Sequence, residues 1–372
     1  MNYYIITHPL RGNYGGMLQA LSLHIATNKI VQSVYLCDIQ DNKVTHPYRS
    51  FINSLKITFS VINRYLINRS IRADDIAYLF HRLGRSFAKK HFQRITSERN
   101  PEDNRAYIVG SDQVWRCLHT RALIYVDYFF LDFATRAERK RSISYAASFG
   151  TDEWEGTPDE TNECGRLLRE FKAVSVREHS GVKICKEVFG VEAVQMPDPT
   201  LLLHQSEYET IINGENTWQP ERKYVAAYVL DETAGKAELL QESAGALNSQ
   251  LQHLMPHSSE RKRRDRFPIS VPQWLRLIRD CEYFITDSFH GCVFAIIYNK
   301  PFVCLGNAGR GNARFDTLLG TFGLEDRLLT ATTPEEIQRV LNTPIDWERV
   351  NAIHNAERDR GINFLKENLA ES

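Results

Sequence analysis

The chain opens on a short apolar run, Tyr3 to Thr7. A turn follows, Arg11-Gly12-Asn13-Tyr14-Gly15-Gly16, and then Leu18, Leu21 and Ile25 recur at helix spacing over 17–25. A second apolar stretch occupies 33–39. Strand, Gly-rich turn, helix, strand is a βαβ unit, and it predicts a parallel sheet. Residues 50–95 break this rhythm and predict a helical insert. Strands return at 106–110, 143–150, 173–176 (leading into a helix) and 191–196. The segment 205–222 contains polar INGENTWQPER with Gly and Pro breakers, and marks a boundary. A second alternating set follows: a strand at 223–230, a helix at about 234–248, strands at 251–255, 282–286 and 301–306, and helices at 271–280 and 288–299. The stretch from about 334 to 369 predicts two helices and no strand.

Two doubly wound α/β halves with helical decoration account for this pattern. The expected units are 1–210, carrying the insert at about 50–95, then 220–340, and a helical tail over 341–372. In such folds ligands bind beyond the carboxyl ends of the strands, and with two such units the cleft between them is the natural site.

Composition narrows the classes. The chain has 372 residues, 42% of them hydrophobic and 25% charged, as expected of a globular protein. Lys+Arg equals Asp+Glu at 46 each. That balance argues against a whole-chain nucleic-acid binder. Charge is uneven locally: over 57–94 eight Lys/Arg face only Asp74 and Asp75, a net of +6, and Arg261 to Arg266 form a second basic run. Both suit an anionic partner, such as a phosphorylated acceptor or a membrane surface. The seven Cys are scattered without a C-x-x-C pair, which argues against a zinc site or disulfide framework and for a reducing compartment. No leader and no membrane-spanning run is legible. The expected location is the cytoplasm, with peripheral contact at the inner face of the membrane.

Candidate chemistry sits just after strands. In Thr286-Asp287-Ser288-Phe289-His290-Gly291, Asp287 or Ser288 caps the helix and His290 falls in its first turn, among unpaired amides that favour anions. A His there becomes a general acid when an anionic substrate arrives, because a bound dianion favours the protonated ring. In Gly110-Ser111-Asp112-Gln113-Val114-Trp115, Ser111 and Asp112 are expected to face the cleft, with Asp112 as a base or a hydroxyl orienter. The bland alternative is a capping Asp. Arg177, after Ser175-Val176, can fork to carboxylate or phosphate, or simply pair with Glu178 or Asp198. The Asn13-Tyr14-Gly15-Gly16 turn admits a sugar or phosphate near the backbone, although it is neither a dinucleotide fingerprint nor a Walker loop. No His or Cys spacing suggests a metal.

Read together, these segments resemble the polysaccharide pyruvyl transferase family. The matching pieces are Asn13 to Ala20, Gly110 to Trp115, Arg141 to Gly150, Ser175 to Glu178, Pro197 to Leu202, Thr286 to Gly291, Lys300 to Phe302, and Arg314-Phe315 with Leu318-Leu319. The ordered set runs from about residue 5 to 330. The resemblance implies two Rossmann-like domains arranged as in GT-B glycosyltransferases, the first on the acceptor side and the second on the donor side. It implies transfer of the enolpyruvyl group of phosphoenolpyruvate to a sugar, free or lipid-linked, with closure to a pyruvate ketal and no cofactor or metal. By motif, His290 is the acid and Arg177 holds the donor. Ser288 and Gly291 complete the anion pocket, and Asp112 is the base. Asn13, Gly15, Gly16, Ser111, Gln113 and Arg314 complete the substrate contacts.

Two positions depart from the family pattern. Ser288 stands where many relatives have Arg, so Arg177, Arg310 or Arg314 must supply the cation. Gly16 stands where many have Asp. Two other readings are a nucleotide-sugar glycosyltransferase of the same fold and a catalytically silent glycan-binding scaffold.

Overall fold

A computed structural model describes residues 1–10, 13–37, 73–92, 104–231, 233–256, 268–306, 313–329 and 333–369. Strand pairing among them is parallel throughout, in two sheets. In chain order the first unit contains β1 (Asn2–Ile6), α1 (Tyr14–Asn28), β2 (Val34–Cys37), α2 (Ala73–His91), β3 (Arg105–Asp112), α3 (Cys117–Leu123), α4 (Arg136–Arg139), β4 (Ile143–Ala147), α5 (Pro158–Leu168), β5 (Ser175–Val176), α6 (His179–Phe189) and β6 (Val194–Gln195). After α7 (Gln205–Asn213) the second contains β7 (Tyr224–Tyr228), α8 (Ala234–Ala246), β8 (Gln250–His253), α9 (Val271–Asp280), β9 (Tyr283–Thr286), α10 (Phe289–Ile297), β10 (Phe302–Leu305), α11 (Ala313–Phe322), β11 (Leu328–Leu329) and α12 (Pro334–Asn342). Helix α13 (Trp347–Leu369) closes the described chain.

The first sheet runs β2-β1-β3-β4-β5-β6 and the second β11-β10-β9-β7-β8. Each therefore reverses its winding once: between β1 and β3 in the first, and between β7 and β9 in the second. Crevices open at such switch points, beyond the strands' carboxyl ends. Buried strands read as continuous apolar runs because helices cover both faces, as the fully buried β4, β7 and β10 do.

The two units share buried side chains. The Tyr14 ring stacks on Trp274 at 5.4 Å, and its hydroxyl donates to the Ile269 carbonyl at 2.9 Å. Ser22 meets the Tyr208 hydroxyl at 2.8 Å. Within the boundary segment 205–222 the chain first forms α7, which buries Tyr208, Ile211 and Ile212. Helix α13 returns to the first unit. The Tyr3 hydroxyl donates to the Leu369 carbonyl and Arg360 Nη2 to Gln195 Oε1, while a Cβ at Gly361 would lie 2.4 Å from the Tyr145 hydroxyl. Only 73–92 of the expected insert is described, mostly as α2. The rest of that insert, the run 261–266 and Arg310 lie outside the described residues.

Candidate active site

The carboxyl ends of both sheets open onto one cleft of about 460 Å³. Small-molecule sites occupy roughly 300–1,000 Å³. From the first unit it is lined by His8, Asn13, Gly16, Asp112, Gln113, Arg116 and His119, and from the second by Leu230, Asp287, Ser288, Phe289, His290 and Arg314, with others. It thus lies on both switch points.

Helix N-termini meet across it. Asn13 caps α1, its side chain accepting from the Gly15 amide at 3.0 Å. Ser288 caps α10 by accepting from Gly291 at 3.4 Å. His290 projects from the first turn of α10 against Gly15: a Cβ there would lie 2.1 Å from His290 Nδ1. Only glycine permits this approach. A Cβ at Gly16 would lie 3.4 Å from Asp112 Oδ2, so a side chain there would compete with that carboxylate for space. At Gly291 a Cβ would strike Thr286 Oγ1, so this glycine serves close packing between helix and strand.

Behind His290 lies a carboxylate that the residue pattern suggested only as a possible counter-ion. Asp198 Oδ2 is 3.5 Å from His290 Nε2 and accepts from Arg177 Nη1 at 2.7 Å and Ser111 Oγ at 3.4 Å. Its Oδ1 accepts from the Thr200 amide and hydroxyl at 3.0 and 2.6 Å. Burial pushes this carboxyl up, but His290, Arg177 and Thr200 outweigh it and hold it well below the usual carboxylate range. Ser111 therefore points into this buried cluster and not, as expected, into the cleft. Arg177 is 3% exposed, is bonded to Asp198, and is absent from the cleft-lining residues. Its guanidinium lies 4.7 Å from the Phe289 ring centre, with Arg314 5.7 Å from the same ring. Two cations thus flank one aromatic ring. Burial and the like charge of Arg177 bring Arg314 down to about 10. Unlike Arg177, Arg314 lines the cleft.

Asp112, at the end of β3, has φ of 89°, in the left-handed region that costs most residues energy. Its Oδ1 accepts from the Gln113 amide at 2.9 Å. Burial acts to raise its pKa, but His8, Arg177 and His290 pull it below normal. It therefore stays ionised, in a cleft that Arg116 and Arg314 also line. Gln113 lines the same wall. Sequence reasoning missed His8, Arg116 and His119 as well as Asp198. His8 obeys the rule that found Asp112, lying two residues beyond a strand's carboxyl end. Among the described residues, no group of three or more His, Cys, Asp or Glu is arranged to hold a metal, and no helix is long and apolar enough to cross a membrane.

Two parallel sheets facing each other across a ligand cleft define the GT-B class. Arabidopsis thaliana UGT89C1 complexed with UDP superposes with a TM-score of 0.52 at 9% identity, covering 99% of both chains. A UDP-GlcNAc 2-epimerase from Neisseria meningitidis (TM-score 0.48, 10% identity, 99% of each chain) and the glycotransferase of kitacinnamycin (0.48, 12%, 99% and 98%) are also similar. No curated protein sequence matches the chain. Residues 13–309 match the sequence profile of the polysaccharide pyruvyl transferases, so the chain belongs to that family and is a transferase.

Proposed function

We propose that this transferase moves the enolpyruvyl group of phosphoenolpyruvate onto a sugar of a polysaccharide or glycan precursor. The observation that carries the reading is one cleft with His290 at a helix N-terminus beside Arg314 on one wall, and ionised Asp112 on the other. The donor is a small polyanion. The α10 amides, Ser288 and Arg314 suit its phosphate and carboxylate. Arg314 thereby supplies the cation that Ser288 does not. Arg177 acts from beneath, through Asp198 and Phe289.

Protonated His290 delivers its proton to the donor's methylene carbon, and C2 becomes cationic. An acceptor oxygen bonds to C2. The bond from C2 to the phosphate oxygen breaks with its electron pair, and a second acceptor hydroxyl closes the ketal. Two hydroxyl protons are lost in all; the balance places one on the new methyl group and one on phosphate. The acceptor, free or lipid-linked, lies over Asn13, Gly15, Gly16 and Gln113. No cofactor is needed for these steps. Free cysteines at all seven positions fit a reducing compartment such as the cytoplasm.

The test is a thermal melt of the full chain with phosphoenolpyruvate, with UDP as the control. A ligand that binds only the folded state raises stability by RT ln(1 + [L]/Kd). Stabilisation by phosphoenolpyruvate but not UDP, reduced in Arg314→Gln, is expected. Stabilisation by UDP alone would replace this reading with a nucleotide-sugar glycosyltransferase.

A further inference from the structure

The proposed reaction needs a base for the attacking hydroxyl, and Asp112 is poorly suited to be that base. Its carboxyl is held below its usual range, so it takes a proton reluctantly near neutral pH. The residue beside it has different properties. After β1, Thr7 Oγ1 donates to the Ser111 carbonyl at 2.9 Å and accepts from Gln19 Nε2 at 3.1 Å. These bonds pin the chain leaving β1 to the end of β3, at the switch point of the first sheet. They set His8 Nδ1 3.8 Å from Asp112 Oδ2, with the side chains 13% and 16% exposed. Phe129 holds the ring edge-on at 5.3 Å, and His8 Nε2 is buried with no hydrogen-bond partner among the described residues.

We propose that His8, acting at Nδ1 with Asp112 beside it, is the base that takes the proton from the acceptor hydroxyl. This rests on the pyruvyl transfer reading above. A separation of 3.8 Å is too long for a direct hydrogen bond, and it leaves room for a ligand oxygen to contact both atoms. As the acceptor oxygen bonds to C2 of the donor, its proton passes to His8 Nδ1. The imidazolium so formed lies against the Asp112 carboxylate, which neutralises it. Burial lowers the pKa of His8 more than Asp112 raises it, which favours the uncharged ring, the form a base needs, near neutral pH. The charged and titratable groups sharing its cleft are Asp112, Arg116 and His119 on its own wall, and Asp287, His290 and Arg314 opposite. Asp112 is then a positioning and charge-compensating residue.

The experiment measures phosphate release from phosphoenolpyruvate by the full chain across pH 5–9. The acceptors are the p-nitrophenyl glycosides of galactose, glucose, mannose, N-acetylglucosamine and N-acetylmannosamine. His8→Gln is expected to lower kcat by about 10²–10⁴-fold, the usual worth of a general base, while keeping the phosphoenolpyruvate melting shift. His8→Asn is the second variant should the first fold poorly. The acid limb of the wild-type kcat profile should vanish in either. In Asp112→Asn the limb should move to lower pH, because the charge favouring the imidazolium is gone. A His8→Gln rate within about threefold of wild type would overturn the inference alone, being far below what a general base is worth. So would an acid limb that persists unchanged in His8→Gln. Wild-type protein that neither binds phosphoenolpyruvate nor releases phosphate overturns the proposed function, and this inference with it.

Discussion

Two aspartate–histidine pairs stand at the ends of the strands, and they differ in how fully the carboxylate is used. Asp198 lies 3.5 Å from His290 and also holds Arg177, Ser111 and Thr200. A carboxylate offers about four lone-pair sites, so little capacity remains for a ligand. Asp112 lies 3.8 Å from His8, takes one short bond from the Gln113 amide, and lines the cleft. Both carboxyls sit below their ordinary pKa, for the same reason: nearby cations outweigh burial. The difference teaches that depressed acidity alone does not distinguish a structural carboxylate from a functional one. Unused acceptor capacity and access to the cleft do.

The comparison can be broken at several points, and the largest effect belongs to the histidine of the saturated pair. His290→Ala should abolish detectable phosphate release while circular dichroism stays unchanged, because an acid in the transition state is worth about 10²–10⁴-fold. Unaltered turnover in a folded variant would remove His290 from the chemistry.

The carboxylates should then separate by readout. Asp198→Asn should cost about 3–5 kcal/mol in denaturant melts, since it leaves Arg177 buried without its counter-charge. Asp112→Asn should leave the midpoint nearly unchanged, because Asn also tolerates positive φ, yet lower kcat. Equal stability losses in the two variants would erase the distinction drawn between them.

The glycines that admit the two pairs should rank in the same way. Gly15→Ala must displace the His290 ring, and a misplacement near 1 Å costs about 10²-fold in rate. Gly16→Ala meets its nearest atom, Asp112 Oδ2, only at 3.4 Å and should be milder. Comparable kcat values for the two variants would show that the ring is not held against α1.

A third histidine has no carboxylate within bonding distance among the described residues and serves as the control. His354 Nε2 donates to the Leu201 carbonyl at 3.0 Å. Burial brings its pKa down to about 4, against a partial rise from that bond. The unfolded chain, with an ordinary value near 6.5, therefore binds the extra proton between pH 6.5 and 4. Stability is full above about pH 6.5 and falls as pH drops through that window, by at most about 3 kcal/mol. His354→Gln should flatten this part of the stability–pH curve relative to wild type. An unchanged slope would exclude His354 as its source.

Much of the fold was legible because it depends on local signals. Helix α9 begins after its Ser270 cap with Pro272 in its first turn, and the expected span, 271–280, is the one observed. Strands β8 and β9 fall within a residue or two of expectation. Polar composition hid α7, whose apolar face is only Tyr208, Ile211 and Ile212. In the site, searching just after strands found His290, Ser288, Asp112 and Gln113, all on the cleft. The same rule reaches His8 and Asp198, yet neither was singled out as a site residue. A single histidine after Thr7 has no spacing partner in the chain, and the Asp between two prolines reads as a turn. Ser111 and Arg177 are expected to contact substrate from their places after strands and from the family motif, with a pairing of Arg177 to Asp198 as the alternative. Adjacency does not show that Asp198 would claim both.

What the sequence alone determined is most of the elements: parallel strands from continuous apolar runs, the start of α10 from an Asp287 or Ser288 cap, and polar residues just past the strands; α1 begins at Tyr14, three residues before the helix spacing that predicts it, because the Asn13 cap turns the expected Gly-rich turn into its first turn. These are short-range consequences of backbone geometry and capping, so nearby residues suffice to specify them. What only the tertiary structure decided is which of those ends face each other. Gly15 meets the His290 ring, and Arg177 and His290 share Asp198, because two separately wound sheets pack with their switch points opposed through Tyr14, Trp274 and Tyr208. That docking buries side chains hundreds of positions apart in the chain, and shape complementarity between the units sets it, not any local pattern.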